Sequence, residues 1–374
     1  MMTTLLVAVL SAVPCEDFAY AAQNTWNEGK DPLTPALDLH VVVERATEGM
    51  PRDSAFARSF RDATLTSKLG VEVRNTLDTA KGVVVFLRCR ERAGFPTALF
   101  SVRYEAGGFG HFELELRPRR SGGVRVVDFW TSFDAEWTSV NLRRIGLLMA
   151  PAADPVAALR AKLFGEGVPF TDAHITAMSA FNAAARAGDA KATEQHFTEL
   201  HPSLQKDRSI MSLRTAGTAS DPNASSRAVE AFTAAFPDDP SVALKAFDSH
   251  FTRKEYDACL EALDVLERTL GLDPWLEVLR ARVELAANHL GVATGHADRA
   301  IELEPWNLQA WFTALDCAVA RKDHSRTSRL LDGAVKAGAK YTRESLGASD
   351  AFKDFMRSPE GKRWRPPATE PEPE

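Results

Sequence analysis

Arg103, His111, Glu113 and Asp128 are residue types that acid–base chemistry needs, and they fall in segments with a two-residue alternation. On a sheet curled into a cone they converge on one polar mouth, where a carboxylate can serve as a general base. A strand face turned to water has the same composition, and the solvated face is the reading adopted. AGGFGH, Ala106 to His111, superficially has the look of a phosphate-binding glycine loop. It lies between two strands and opens no helix, so no helix N-terminus is aimed at an anion and a hairpin turn is expected. GxxxxGK[ST], HExxH and GxSxG are all missing, which removes the usual signatures of nucleotide hydrolysis, zincin and α/β-hydrolase chemistry.

Metal and thiol chemistry fare no better. Cys15, Cys89, Cys259 and Cys317 form no CxxC or Cys/His cluster, which argues against a zinc site or a disulfide scaffold. Cys259 and Cys317 stand among apolar helical positions and read as buried, inert thiols. His196 and His201 are five apart and the second precedes Pro202, a poor arrangement for a metal pair. No cofactor, metal or catalytic residue is expected.

These residues must be positioned by a chain of 374 residues with 45% apolar content, long enough for two or three domains. Its 45 Lys and Arg against 51 Asp and Glu give a net charge of -6, which disfavours nucleic acid as a partner. Thr4 to Val13 is an apolar run of signal-peptide length, too short to span a bilayer. Ala19-Tyr20-Ala21 offers a cleavage site, but no Lys or Arg precedes Lys30 and Pro14 spoils a lipoprotein reading at Cys15. Export is favoured over a cytoplasmic location; a mis-assigned start or a buried N-terminal segment is the alternative.

Asn24 to Pro35 reads as a polar lead-in. Ala36 to Thr47 and Ser54 to Ala63 carry helical spacing, the second with an Asp53-Ser54 cap. Val83–Arg90, Ala98–Glu105, His111–Arg117 and Val124–Trp130 alternate as a four-stranded antiparallel meander. Phe112, Leu114 and Leu116 share one face of the third strand, opposite His111, Glu113, Glu115 and Arg117. Two helices packed on one face complete an α+β domain. Helices followed by a meander ending in VRVVDFWTSFDAEWTSVNLRR resemble the cone-shaped NTF2-like domains, whose resemblance implies a pocket mouth at Arg103, His111, Glu113 and Asp128.

After a proline-rich connection, Met149 to Asp172, no strand pattern recurs. PDDPS, GLDPW and ELEPW align through Pro240, Pro274 and Pro305, the second interval slightly shorter than the first. Upstream stand Ala228, Phe232 and Ala235, then Ala262 and Leu266, then Ala297 and Ala300; Trp311, Ala314 and Leu315 follow the last junction. Small residues let two helices nestle, a bulky one fills the gap to the next hairpin and proline stops the second helix. This pattern, with a period of about 34 residues, resembles the tetratricopeptide repeat family over Pro240 to Ala339. TAGTASDPNASS reads as a loop, the repeat after Pro274 as trimmed in its second helix, and Trp275, Trp306 and Trp311 as junction packing.

The resemblance implies a concave groove lined near Phe251, Lys254, Asn288, Gln309, Phe312 and Asp316. The Lys/Asn/Arg set of carboxylate-clamping members is missing there. The fold class expected is an α+β N-terminal domain followed by an all-α repeat solenoid. Its bounds are an N-terminal segment 1–24, an α+β domain 31–148, helical repeats 170–340, a capping helix 341–364 and a disordered tail 365–374. A non-catalytic interaction or assembly factor with a protein or peptide partner is expected. The alternatives are a small-molecule binding protein or enzyme using the N-terminal cone, and a purely structural assembly subunit; oligomeric state is left open.

Overall fold

Alternating apolar and polar residues build the sheet. In the computed structural model, which describes residues 15–66, 82–104, 108–119, 122–151, 153–164 and 172–367, strands β1 (Gly82–Arg92), β2 (Phe95–Tyr104), β3 (Phe109–Pro118) and β4 (Val124–Thr131) form an antiparallel meander. A short β5 (Glu136–Trp137) pairs with β4. The apolar run at Thr4–Val13, the start of AGGFGH and the chain beyond Pro367 lie outside the described residues. The chain divides into two compact units, Met1–Lys245 and Ala246–Glu374.

In the first unit, one sheet face carries Phe86, Ala98, Phe100, Val102, Phe112, Leu114 and Phe129, all in one buried cluster. Its cover is helix α1 (Cys15–Asn27), not the two helices expected from periodicity. Ala19 and Ala22 let the helix backbone approach the sheet, and Trp26 meets the rings of Phe100 and Phe112 edge-on at 5.6 and 5.1 Å. The residues read as a cleavage site, Ala19-Tyr20-Ala21, are therefore mid-helix, and the lead-in begins inside α1. Small apolar residues serve a leader and a close helix–sheet contact equally well.

Helix α1 is also fastened to the edge strand. A disulfide joins Cys15 to Cys89 across 74 residues of sequence, correcting the expectation drawn from scattered cysteines. The Asn27 amide donates to the Val84 carbonyl at 2.9 Å and accepts from the Val84 N–H at 3.0 Å. Gln23 Oε1 accepts from the Phe86 N–H at 2.6 Å. Side-chain amides thus satisfy backbone groups that an edge strand leaves open.

The opposite, polar face is not solvated, which corrects the second expectation. Arg103, His111, Glu113 and Asp128 are 7%, 3%, 1% and 2% exposed. Helices α2 (Leu39–Ala46) and α4 (Thr138–Met149) both pack against β4, and Arg45 of α2 forks onto Glu115 at 2.6 and 2.8 Å. Helix α3 (Ala55–Leu65) is capped by Ser54 and packs with α2. Its Ala57 joins Leu147 of α4 and Val156 of α5 (Val156–Phe164) in a separate apolar cluster. The unit continues with α6 (Asp172–Arg186), α7 (Ala190–Glu199), α8 (Arg208–Gly217) and α9 (Pro222–Ala235). The expected loop TAGTASDPNASS is thus mostly helical: Asp221 caps the N–H groups of Asn223 and Ala224, and Pro222 occupies the first turn.

From Pro240 the helices keep a strict period. The first helices of three hairpins, α10 (Pro240–Arg253), α12 (Pro274–Ala286) and α14 (Leu308–Ala320), start at one constant interval of sequence. So do the second helices, α11 (Tyr256–Leu270), α13 (Leu290–Leu303) and α15 (His324–Lys336). Between them Lys254, Asn288 and Lys322 adopt left-handed φ of 61°, 65° and 56°, recurring at the same interval. Two expectations change. Pro240 and Pro274 open helices and do not close them, because proline at N1 forfeits no helical bond. Leu308, not Pro305, is the counterpart of Pro274, so α13 is not trimmed: it has 14 residues against 15 in α11.

In the second unit Ala281, Ala293, Ala297, Ala314, Leu315, Leu331 and Ala334 form a continuous core. Trp275 is buried, whereas Trp306 is 55% exposed and so does not fill the junction. Arg280, 8% exposed, bridges Asp264 and Glu267 of α11 and Glu277 of α12 at 2.8, 2.7 and 3.3 Å. The expected capping helix is broken into Arg343–Ala348, Asp350–Phe352, Lys353–Arg357 and Pro359–Arg363. Leu346, Phe352, Phe355 and Trp364 nonetheless close the core, and the Trp364 indole donates to Asp332 at 2.8 Å.

Candidate partner-binding groove

The first helices of the hairpins carry polar and aromatic side chains that reach water. On α14, Gln309, Phe312 and Asp316 stand at i, i+3 and i+7 and share a helix face. From α12, Arg282 donates to Gln309 Oε1 at 2.7 Å and lies 5.7 Å from the Trp275 ring. Tyr341, beyond α15, sets its ring edge-on to Phe312 at 6.1 Å and near Phe352 at 6.2 Å.

The charged groups of the wall influence one another. Asp316 is exposed, yet the protein packed around it raises its carboxyl above the ordinary aspartate value, with Arg282 pulling the other way. Burial lowers Arg282, opposed by Asp316. Burial and then the Asp316 charge raise the Tyr341 phenol.

The other residues expected at the groove are spread differently. Phe251 is 39% exposed on α10, stacked on Phe247 at 6.0 Å. Lys254 and Asn288 occupy the left-handed turns that end α10 and α12, not a helix face. Arg282 and Tyr341 were missed by sequence reasoning. Arg282 was legible in principle, being one period before Asp316; Tyr341 follows the repeats and had no such signal.

Of the N-terminal residues, Asp128 and Glu113 are each held by their own structural partners. Asp128 accepts from the Ser139 hydroxyl, from the Ser139 N–H at 3.1 Å and from the Phe129 N–H at 3.0 Å, with Arg45 at 3.4 Å. Burial raises its carboxyl, and the Ser139 and Phe129 bonds with Arg45 counter that. Placed at the first turn of α4, Asp128 serves as that helix's cap, supplied from β4. Glu113 pairs with Arg90 and lies 3.9 Å from Arg92. An open cleft of 810 Å³ sits elsewhere in this unit, lined by Asp38, His40, Arg119 and Arg125. Its arginines are engaged: Arg125 pairs with Asp38, and Arg119 donates to the Pro35 carbonyl at 3.0 Å.

Cys259 and Cys317 are buried, and burial pushes both thiols up to about 11. His196 pairs with Glu199 at 2.8 Å, while His201 has the His174 ring 5.4 Å away. Among the described residues no group of three or more His, Cys, Asp or Glu is arranged to hold a metal, and no helix is long and apolar enough to cross a membrane.

No family model matches the chain. No curated protein matches it either. A solved structure, MamA 41-end from Desulfovibrio magneticus RS-1, is similar with a TM-score of 0.40 at 13% identity, covering 48% of this chain and 99% of that one. A likeness this loose carries neither a fold nor a role across.

Proposed function

We propose that the protein is a non-catalytic interaction factor whose helical repeats, of the tetratricopeptide type, hold a protein or peptide partner in a groove. The observation that carries this is the solvent-reaching wall of Arg282, Gln309, Phe312 and Asp316, offered by two successive first helices and joined by the Arg282–Gln309 hydrogen bond. The constant recurrence of helix starts and left-handed turns, at the length of one tetratricopeptide unit, supports the repeat assignment. In this reading the repeats span 170–340 and the α+β domain 31–148, an NTF2-like cone serving as a support.

The alternative, a ligand-binding or catalytic cone, loses ground because Asp128 spends its acceptor capacity on Ser139, Phe129 and Arg45. A general base needs a free lone pair facing a pocket. The test compares affinity capture by the full chain with capture by an Arg282→Ala/Phe312→Ala double variant of unchanged circular dichroism. A partner recovered by the first and lost by the second upholds the reading; identical recoveries refute it.

A further inference from the structure

Asp248, Arg282 and Asp316 are each one repeat apart, on first helices that share the same period, so they occupy one helical phase. Stacked hairpins turn such a phase into a column along one wall, here ordered negative, positive, negative. The middle member is engaged, since the Arg282 guanidinium holds Gln309 and faces the Trp275 ring. Asp316 feels the Arg282 charge but makes no hydrogen bond or close ion pair with any described residue, and the Tyr341 hydroxyl makes no hydrogen bond with one. Phe312 stands one helical turn before Asp316, and the Tyr341 ring packs against Phe312 at 6.1 Å.

A carboxylate beside two aromatic rings matches a cation on an aliphatic stem. The oxygen takes the charge, a ring face is attracted to it, and the stem covers apolar surface. An anionic group would meet Asp316 head-on. Resting on the groove reading above, we propose that Asp316, Phe312 and Tyr341 receive a Lys or Arg side chain from a segment of a protein partner, with an adjacent apolar side chain of that segment lying on Phe312.

The test pans a display library of short random peptides against the full chain and measures the recovered peptides by fluorescence anisotropy. Recovered peptides are expected to carry Lys or Arg next to an apolar residue. Their affinity should fall about tenfold with Asp316→Asn, stay near wild type with Asp316→Glu, and vanish with Asp316→Lys. Circular dichroism checks that the variants fold. Peptides without basic enrichment, or binding Asp316→Asn as tightly as wild type, overturn this inference alone if they still depend on Arg282 and Phe312. Peptides indifferent to all three residues, or no recovered peptides, overturn the groove reading as well.

Discussion

The six-membered ring of Trp311 lies over Gly333, so close that a Cβ there would collide with the ring carbon Cζ3. Helices α14 and α15 touch through this pair, with the indole N–H held by the Pro305 carbonyl at 2.8 Å. Replacing a helix-interior glycine by alanine ordinarily stabilises by about 1 kcal/mol. Here the added methyl must displace a held indole, at a cost of about 1–3 kcal/mol. Gly333→Ala should therefore lower stability in urea denaturation, and a Trp311→Leu/Gly333→Ala double variant should recover part of the loss.

Asp128 and Ser139 join a strand to the start of a helix, and they should behave as a structural pair. Ser139→Ala is expected to cost about 1 kcal/mol, and Asp128→Ala, which strips several donors of their acceptor, about 2–3 kcal/mol. A double-mutant cycle in denaturant should return a coupling energy between them. Additive effects would argue that the hydroxyl contact contributes nothing.

The Cys15–Cys89 bridge closes a long loop, and such links typically add about 2–4 kcal/mol. Non-reducing peptide mapping should recover the linked pair. Dithiothreitol should lower the melting temperature of the wild type and leave that of Cys89→Ser unchanged. Bridges of this kind persist in oxidising compartments and are rare where thiols are kept reduced.

Asp316 gives a pH dependence of defined sign. Its carboxyl is raised in the folded chain, chiefly by burial and against the pull of Arg282, and because the residue is solvent-exposed, screening keeps the effect on stability small. Between the unfolded aspartate value of about 3.9 and the folded one, the native state holds a proton that the unfolded state has released. Stability therefore falls as pH rises through that window, and the penalty persists at neutral pH. Asp316→Asn should melt higher than wild type at pH 7, with the difference closing on acidification below about pH 4.

How far the sequence could be read depended on the range of each interaction. The strands rest on a two-residue alternation and the stack on a recurring hairpin, so both were visible in the residue order. The register was misread at Pro305 because proline tolerates both a turn and an N1 position, and only the start of α14 at Leu308 resolves which applies. The polar sheet face was misjudged because Arg45 meets Glu115 from 70 residues away, and no local pattern announces such a partner. Helix α1 was hidden by ambiguity: an alanine-rich stretch following an apolar run satisfies a leader and a packed helix alike. Of the residues expected at the groove, Gln309, Phe312 and Asp316 share one face of α14, while Lys254 and Asn288 fall in turns, a few residues from a helix face.

The amide grip of Gln23 and Asn27 on β1 makes α1 a substitute for a sixth strand. Any shortened chain starting after Asn27 would lose that stand-in together with its bridge, laying bare an unpaired border beside an oily sheet surface. Copies of such a fragment would be expected to zip to one another in solution, so trimming this end for convenience would trade a well-behaved molecule for a sticky one.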